Sequence, residues 1–431
     1  MERQSVTSET KSGTEPVQPQ PIAMPTPNQE QEEKEVNPKV AEEGVQDVEM
    51  KQSRNMYNDT QQYVYEIKES RDGTRLNFRF EKINVSIVNA LRRIILSEIP
   101  TVVLRTTPYD KNRVKIEVNT TRMNNEIIKQ RLSCIPIHIN ESEFSSINDL
   151  TLELSVKNDS TSLAYATSGD FKIKNEKTNT YISEEEVKRI FPPDSITGDY
   201  IDIVRLRPKT TSNGEELKLT CSLDIGTSKE DSSFAVASTC SYSCVVDEIK
   251  VESEWNSKKA ELEASGIDGE ELKLAEKNWR LLDSKRITIP DEFDFVVETV
   301  GVFTNKSIVI KACKIMIEKL EKIREKVSMR EVINKSSSTI ENCYDITLQG
   351  EDYTLGKVLE YMLYSKHYDR FSEGSDKTLN YCGFSKPHPH INSSIIRLGF
   401  VENVGIDEIV SYITSASNDA IRIFETISKQ F

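Results

Sequence analysis

The sequence lacks three features that would place it in common functional classes. It has no basic surplus, since its formal net charge at pH 7 is −14 over 431 residues, and proteins that grip a phosphate backbone usually carry a basic footprint. No stretch approaches the ~18 consecutive apolar residues of a membrane span, and no N-terminal apolar run suggests a signal peptide. The seven cysteines are scattered and odd in number, which indicates a reducing, intracellular compartment.

Catalytic signatures are also missing. The sequence contains no glycine-rich phosphate loop, no nucleophile elbow and no aspartate-rich metal motif. It also lacks a cluster of acidic residues of the kind that holds two Mg²⁺ ions. We therefore predict a chain with no catalytic residues, no bound metal and no cofactor of its own.

The first 56 residues contain no aromatic residue and are rich in Pro, Gln, Glu and Ser. Such a segment buries too little apolar surface to offset the entropy of ordering, so residues 1–56 are predicted to be a disordered acidic tail. The tail is either a recruiting segment or a plain solvated extension, because charged blocks often serve only to solvate.

Regular structure is predicted from Tyr63 onward. Alternating apolar residues on both sides of Arg71-Asp72-Gly73 indicate a β-hairpin. An amphipathic helix follows, with Asn84 or Ser86 as its N-cap and Pro100 as its stop. The helix has a stripe of apolar residues: Ile87, Val88, Leu91, Ile94 and Ile95. At 100° per residue Asn89 and Arg93 fall opposite that stripe and Arg92 flanks it, which predicts a separate cationic face.

The rest of the chain divides into segments that differ in their pattern of apolar and polar residues. Short alternating runs after the first helix predict a mostly β region that closes with a charged helical stretch over 248–282. Strand character returns near Phe293, and a long amphipathic helix follows from about Ser307. After a polar segment, a second strand–helix–strand–helix series runs to the C-terminus. The two outer portions thus share one order of elements, which indicates a concealed internal duplication.

Several motifs in these segments resemble those of alpha-like subunits of RNA polymerase. The first helix carries Asn89-Ala-Leu-Arg-Arg-Ile-Ile-Leu-Ser-Glu-Ile-Pro100, which is similar to the signature helix of the larger, archaeal D-type subunit. Further D-type resemblances begin at Asn119-Thr-Thr, Gly214-Glu-Glu-Leu-Lys-Leu and Phe234-Ala-Val-Ala-Ser-Thr. Near the C-terminus, Asp352-Tyr-Thr-Leu-Gly-Lys-Val-Leu359 and Pro387-His-Pro389 resemble motifs of the smaller, archaeal L-type subunit. Such a fusion resembles the arrangement in large cytoplasmic DNA viruses.

The resemblance implies an α+β fold with two alpha-like dimerisation modules that form an intramolecular pseudo-dimer. The larger, D-type module spans 57–102 and 285–330, and a mostly β insert domain at 103–284 interrupts it. A linker at 331–341 leads to the smaller, L-type module at 342–431. We expect the halves to pack through apolar residues on their helices: Leu91, Ile94, Ile95, Val309, Met316, Leu320, Leu355, Val358, Leu359, Met362, Ile413 and Phe424.

The resemblance also implies partner-binding residues. Asn89, Arg92 and Arg93 would dock a large catalytic subunit, and the guanidinium fork of arginine suits such an interface. The alternative is an ordinary exposed, charged helix face. Glu126 and Arg131 lie in the second D-type motif and form either part of the same interface or an internal ion pair.

Two short pairs invite a metal interpretation. Cys240 and Cys244 are close in sequence, but zinc normally needs four ligands and no second cysteine pair lies nearby. We therefore interpret them as buried or idle thiols. His388 and His390 flank a proline within the L-type motif, which favours a structural turn over a ligand pair.

The function implied is a non-catalytic assembly platform of a DNA-dependent RNA polymerase. One copy per polymerase would bind two large catalytic subunits and further small subunits, touch nucleic acid only through the complex, and contact no membrane. The chain would be intracellular or, if viral, in the virion and host cytoplasm. The alternative is a stand-alone transcription adaptor or binding module that uses the acidic tail.

Overall fold

The computed structural model describes residues 61–209, 214–368 and 375–431. The predicted tail at 1–56 lies outside the described residues. In chain order the described strands are β1 Val64–Glu69, β2 Arg75–Phe80, β3 Thr101–Val103, β4 Val114–Asn119, β5 Leu150–Lys157, β6 Ala164–Thr167, β7 Lys172–Asn175, β8 Thr180–Tyr181, β9 Asp202–Leu206, β10 Glu216–Ser222, β11 Asp224–Gly226, β12 Ala237–Val246, β13 Thr288–Thr299, β14 Ile333–Lys335, β15 Cys343–Gln349, β16 Leu379–Ser385 and β17 Ser393–Phe400. The described α-helices are α1 Val85–Ser97, α2 Asn125–Ser133, α3 Glu184–Ile190, α4 Glu248–Ala264, α5 Gly269–Leu281, α6 Asn305–Ser328, α7 Tyr353–Leu363 and α8 Ile406–Lys429.

The predicted hairpin and first helix are confirmed. β1 and β2 pair antiparallel around a turn that contains Gly73 at φ +70°, a conformation that glycine adopts without a steric penalty. In α1 the N-cap is Asn84, whose side chain accepts a hydrogen bond from the backbone N–H of Ser86. The helix ends before Pro100, which cannot continue it.

The first four-stranded sheet has the order β1-β2-β13-β12, and its membership differs from the predicted domain bounds. β12 lies within 103–284, the segment predicted to be the insert, yet it pairs with β13 along its length. Alternation in a sequence identifies a strand and its buried face, but it does not identify the neighbouring strand. β12 therefore belongs to the first sheet, although it falls within the segment expected to be the insert.

Part of the segment expected to be the insert has its own apolar core. A five-stranded sheet in the order β4-β10-β5-β7-β8 is accompanied by two small antiparallel ribbons, β3 with β11 and β6 with β9. Apolar residues from these strands and from α2 and α3 form one buried cluster. Between β12 and β13, α4 and α5 make a helical hairpin around Trp255 and Trp279, whose ring centroids lie 5.5 Å apart. The predicted helical stretch is thus two helices, separated by a turn with Gly266 at φ +85°.

The second four-stranded sheet has the order β14-β15-β17-β16 and carries α7 and α8. The segment 331–341, predicted to be a linker, contributes β14 to this sheet through pairing with β15. A strand of three residues is too short to show periodicity, so its polar composition concealed it. A π-helical turn at Tyr364–Tyr368 extends α7.

One apolar cluster runs through both four-stranded sheets and through α1, α6, α7 and α8. We call β1, β2, α1, β12, β13 and α6 the first half, and β14 to β17 with α7 and α8 the second half. Their helices meet in corresponding pairs, α1 with α7 and α6 with α8. Among the described helices, none has the length and apolar character needed to cross a membrane.

Candidate partner-docking site

The docking residues predicted on α1 are positioned by the burial of its apolar face. Ile87, Val88, Leu91, Ile94 and Ile95 of the predicted stripe are all buried, and so is Ala90. This orientation leaves the opposite side of the helix for polar residues. Asn89, Arg92 and Arg93 are each only partly buried. The three polar side chains nevertheless have different surroundings.

Arg92 keeps most of its guanidinium available. Its Nε donates to Asn89 Oδ1 at 3.0 Å, and in the described part of the chain its hydrogen bonds go to Asn89 alone. The side chain lies near β12, where its positive charge opposes the effect of burial on the Cys240 thiol. Burial dominates and raises the pKa of Cys240 to about 12. Arg92 therefore presents free N–H donors beside a neutral thiol.

Arg93 is instead bound within the chain. Its Nη2 donates to Asp352 Oδ2 at 2.8 Å, and its Nε donates to Thr354 Oγ1 at 2.8 Å. Asp352 is also the N-cap of α7. The periodicity predicts correctly that Arg93 lies opposite the stripe of α1. Periodicity does not show that α7 lies along that side of α1. Arg93 therefore binds residues at the start of α7 instead of standing apart on a separate cationic face.

A second charged cluster lies beside this contact. Lys319 of α6 contacts Glu98, at the C-cap of α1, and Glu351, which precedes α7, with both N–O distances 2.8 Å. The three side chains are 13%, 12% and 17% exposed. Burial disfavours the charged Lys319, but the hydrogen bonds to both carboxylates outweigh it and raise the Lys319 pKa. This cluster is not predicted from the sequence. The signal that could have revealed it is Lys319 itself, a charged residue between the buried positions Met316 and Leu320 of α6.

We call the surface where α1 and α6 of the first half meet α7 and α8 of the second half the junction. Every apolar residue expected there is buried in the shared cluster at no more than 3% exposure: Leu91, Ile94, Ile95, Val309, Met316, Leu320, Leu355, Val358, Leu359, Met362, Ile413 and Phe424. These residues therefore belong to the apolar cluster that both halves share, and the charged contacts of Arg93 and Lys319 lie where α1 and α6 meet the start of α7.

Glu126 and Arg131 lie elsewhere, on α2, which packs on the insert core rather than on the shared cluster. Both are exposed. Arg131 Nη2 donates to the backbone carbonyl of Asp202 at 2.6 Å, and none of the ion pairs between described residues joins Arg131 to Glu126. Glu126 and Arg131 therefore do not form the internal ion pair that was the alternative to an interface role.

The two cysteines and two histidines considered as metal ligands differ in burial. Cys240 is buried on β12 and Cys244 is exposed. His388 and His390 are exposed, with ring centroids 4.9 Å apart. A search of the described ranges finds no group of three or more His, Cys, Asp and Glu residues arranged to hold a metal ion.

Comparison with known proteins identifies the family. The family profile described as the RNA polymerase Rpb3/Rpb11 dimerisation domain matches residues 77–320. The chain is 26% identical over 290 residues to "DNA-directed RNA polymerases IV and V subunit 3B" of Arabidopsis thaliana, which covers 57% of this chain and 86% of that protein. It is 25% identical over 266 residues to "DNA-directed RNA polymerase subunit Rpo3" of Pyrococcus furiosus, which covers 57% of this chain and 90% of that protein. It is also 25% identical over 296 residues to "DNA-directed RNA polymerases I and III subunit rpac1" of Dictyostelium discoideum, covering 60% of this chain and 80% of that protein.

The match begins in β2 and ends in α6, so it includes α1, the insert and most of the first half. Because it spans more than half of the chain, this protein belongs to the RNA polymerase Rpb3/Rpb11 dimerisation-domain family.

Proposed function

We propose that this chain is a non-catalytic assembly subunit of a multisubunit DNA-dependent RNA polymerase. Its first half acts as the larger alpha-like module and its second half as the smaller one, so a single polypeptide supplies both members of the pair. The paired halves then dock two large catalytic subunits, together with further small subunits. Contact with nucleic acid is only indirect, through the assembled polymerase.

The observation that carries this proposal is the shared apolar cluster. The family profile ends at residue 320, near the end of α6, and the second half lies beyond it. The second half repeats the strand–helix–strand–long-helix order of the first, and its helices meet those of the first half in corresponding pairs. A module with long apolar helices buries them by packing on a second module. Joining the modules in one chain raises their effective concentration to about the millimolar range for a short connection.

The exposed side of α1 is the proposed docking surface for a large subunit. Arg92, with most of its donors free, is the central residue of that surface, and Asn89 orients it. Arginine is enriched in protein interfaces because its planar fork binds carboxylates through two hydrogen bonds. Glu126 and Arg131 on α2 form a second contact on the insert. A fusion of this kind also fits a viral source, with the chain in the virion and host cytoplasm.

Purification from the native source tests the assembly role. The tagged chain should co-purify in a one-to-one ratio with two very large chains, as measured by mass spectrometry of the eluted complex. A stand-alone adaptor that uses the acidic tail would instead elute without two such chains. That outcome would remove the polymerase assignment for this chain.

The docking surface is tested by the substitution Arg92→Glu. Like charges placed against a partner's acidic groups cost several kcal/mol, so capture of the large subunits should fall at least about a hundredfold. The matched control is Arg71→Glu in the exposed hairpin turn, which makes the same charge change away from α1. Thermal melts of both variants should stay near wild type, because surface substitutions usually change stability by about 0.5 kcal/mol or less. Undiminished capture by Arg92→Glu would contradict the docking assignment.

A further inference from the structure

We infer that the charged residues of the junction make the first half select the second half and reject a second copy of either half. The residues are Arg93, Lys319, Glu351 and Asp352, with Glu98 completing the cluster around Lys319. This inference rests on the proposed pairing function, because it concerns which halves pair. The partner that these residues recognise is the chain's own complementary half.

The first helices of the two halves, α1 and α7, correspond position by position. Asn84 and Asp352 both cap their helices by accepting a hydrogen bond from the backbone N–H two residues later. When α1 and α7 are aligned on these caps, every buried position of α1 coincides with a buried position of α7. The positions Ile87, Val88, Ala90, Leu91, Ile94 and Ile95 fall on Leu355, Gly356, Val358, Leu359, Met362 and Leu363. The two helices therefore occupy equivalent places in their halves.

The same alignment shows which residues of one half stand at the positions of the charged junction residues of the other half. Tyr361 stands where the first half has Arg93. Ile83 stands where the second half has Glu351. The alignment puts Lys366 where the first half has Glu98, and Lys366 pairs with Asp419 of α8 at 2.9 Å as Glu98 pairs with Lys319 of α6 at 2.8 Å. Asp419 therefore stands where the first half has Lys319. Because Ile83, at the place of Glu351, is apolar and buried, the Lys319–Glu351 contact has no charged equivalent at the other end of the junction.

This asymmetry predicts the properties of the wrong pairs. In a symmetric pair of identical halves each contact occurs twice between equivalent residues. Two first halves would set Arg93 against the neutral Asn84, and Lys319 would lose Glu351 to Ile83. Both of these charged contacts would be absent.

Two second halves would also be mismatched. Asp352 would face Tyr361 and lose its cation, and Glu351 would meet Asp419, a carboxylate that Lys366 of the same half already binds. A charge removed from water without a partner is strongly destabilising, because its desolvation is not compensated. Specificity commonly depends on such penalties against the wrong partner as well as on contacts with the right one.

The test uses the full chain with a protease site inserted between Arg330 and Glu331, after α6 and before β14, so that β14 stays with the second half. After the folded protein is cut, native mass spectrometry distinguishes first–second, first–first and second–second pairs by mass. Wild type should give first–second pairs only. The variant Glu351→Lys with Asp352→Asn sets a second ammonium group against Lys319 and removes the carboxylate bound by Arg93. We expect first–second affinity to fall about a hundredfold and second–second pairs to appear.

The matched control makes one charge reversal and one neutralisation at exposed positions of the second half, Glu402→Lys with Glu408→Gln. It should retain first–second pairing only. A second variant, with Arg93→Met, Glu98→Gln, Lys319→Met, Glu351→Gln and Asp352→Asn, removes the charges without adding repulsion. Neutral replacement of buried ion pairs is often tolerated, so this variant should fold and give all pairings.

The possible outcomes separate the two claims. If the cut wild-type halves fall apart on dilution, the proposed pairing function fails. If they remain together, and the uncharged variant still gives first–second pairs alone, pairing stands and the charges do not select the partner. Appearance of identical pairs in both junction variants but not in the control establishes the inference.

Discussion

At the scale of single residues, His367 combines a polar side chain with an apolar environment. It lies in the π-helical turn after α7 and is 4% exposed. Its Nδ1 lies 2.7 Å from Asp376 Oδ2, its ring packs edge-on against Tyr412, and no hydrogen bond from a described residue reaches its Nε2. Burial lowers the pKa of His367, with Asp376 opposing that effect in part. The folded protein therefore holds this imidazole neutral.

This arrangement predicts a loss of stability in mild acid. The unfolded chain takes up a proton near the ordinary histidine value of 6.5, whereas the folded chain does so only at lower pH. The stabilisation is fully present above pH ~6.5 and declines as the pH falls toward the folded pKa, by up to ~1.4 kcal/mol per pH unit. Urea unfolding at a series of pH values measures the decline. His367→Asn, whose amide replaces Nδ1, should reduce it, and His388→Asn at an exposed site should not. Equal pH dependence in all three proteins would exclude His367 as the cause.

At the scale of the element, α7 contains a glycine that its own helix does not require. Glycine in a helix interior is ~1 kcal/mol less favourable than alanine. A Cβ at Gly356, however, would lie 2.0 Å from Cε2 and 2.2 Å from Cδ2 of Phe384. That ring, on β16, also packs against Tyr353 with centroids 5.1 Å apart. Close contact between α7 and β16 thus explains why the segment that resembles the L-type motif has glycine at position 356.

Gly356→Ala should therefore destabilise the protein despite its better helix propensity. Overpacking of a well-packed core typically costs ~1–3 kcal/mol, which exceeds the gain in propensity. In a Phe384→Ala background the ring is absent, and adding Gly356→Ala should cost little or stabilise slightly. The coupling in this double-mutant cycle, measured by denaturant unfolding, isolates the contact. Additive effects of the two substitutions would show that the ring does not dictate the glycine.

At the scale of the whole molecule, the C-terminus is tied to the first strand of the first half. The Gln430 side chain accepts hydrogen bonds from the backbone N–H groups of Tyr63 and Val64, at 3.0 and 2.9 Å, and donates to the Gln61 carbonyl. The Phe431 ring packs edge-on against Phe78 with centroids 4.8 Å apart. The last residues after α8 thus complete the polar contacts of β1, which is an edge strand of the first sheet.

Replacing Gln430 with alanine should loosen β1 without unfolding the insert. Leaving two backbone donors unsatisfied costs ~1–3 kcal/mol each when they are buried, and Tyr63 is 1% exposed. Amide hydrogen exchange should accelerate at Tyr63 and Val64, while amides of β5 and β10 keep their protection. Lys429→Ala, at an exposed neighbouring position, is the control. Unchanged exchange at β1 would show that Gln430 does not secure this strand.

The sequence by itself determined the local elements and their buried faces. The cap candidates Asn84 and Ser86, the stop at Pro100 and the apolar stripe of α1 located that helix and its inward side, because caps, stops and periodicity are local properties. The twelve apolar residues expected at the junction are all buried for the same reason, since an apolar stripe on a helix must be covered by something. The motifs also led to the correct family.

Only the tertiary structure decided which elements meet. Periodicity reports the face of a strand or helix but not its neighbour, so it could not show that β12 belongs to the first sheet or that β14 joins the second. For the same reason it groups Arg93 with Arg92, although Asp352 and Thr354, more than 250 residues away in sequence, bind Arg93. Lys319 gives no local signal of its role because its carboxylate partners come from two other segments of the chain. Contacts between distant segments depend on packing geometry, and a local pattern does not contain that information.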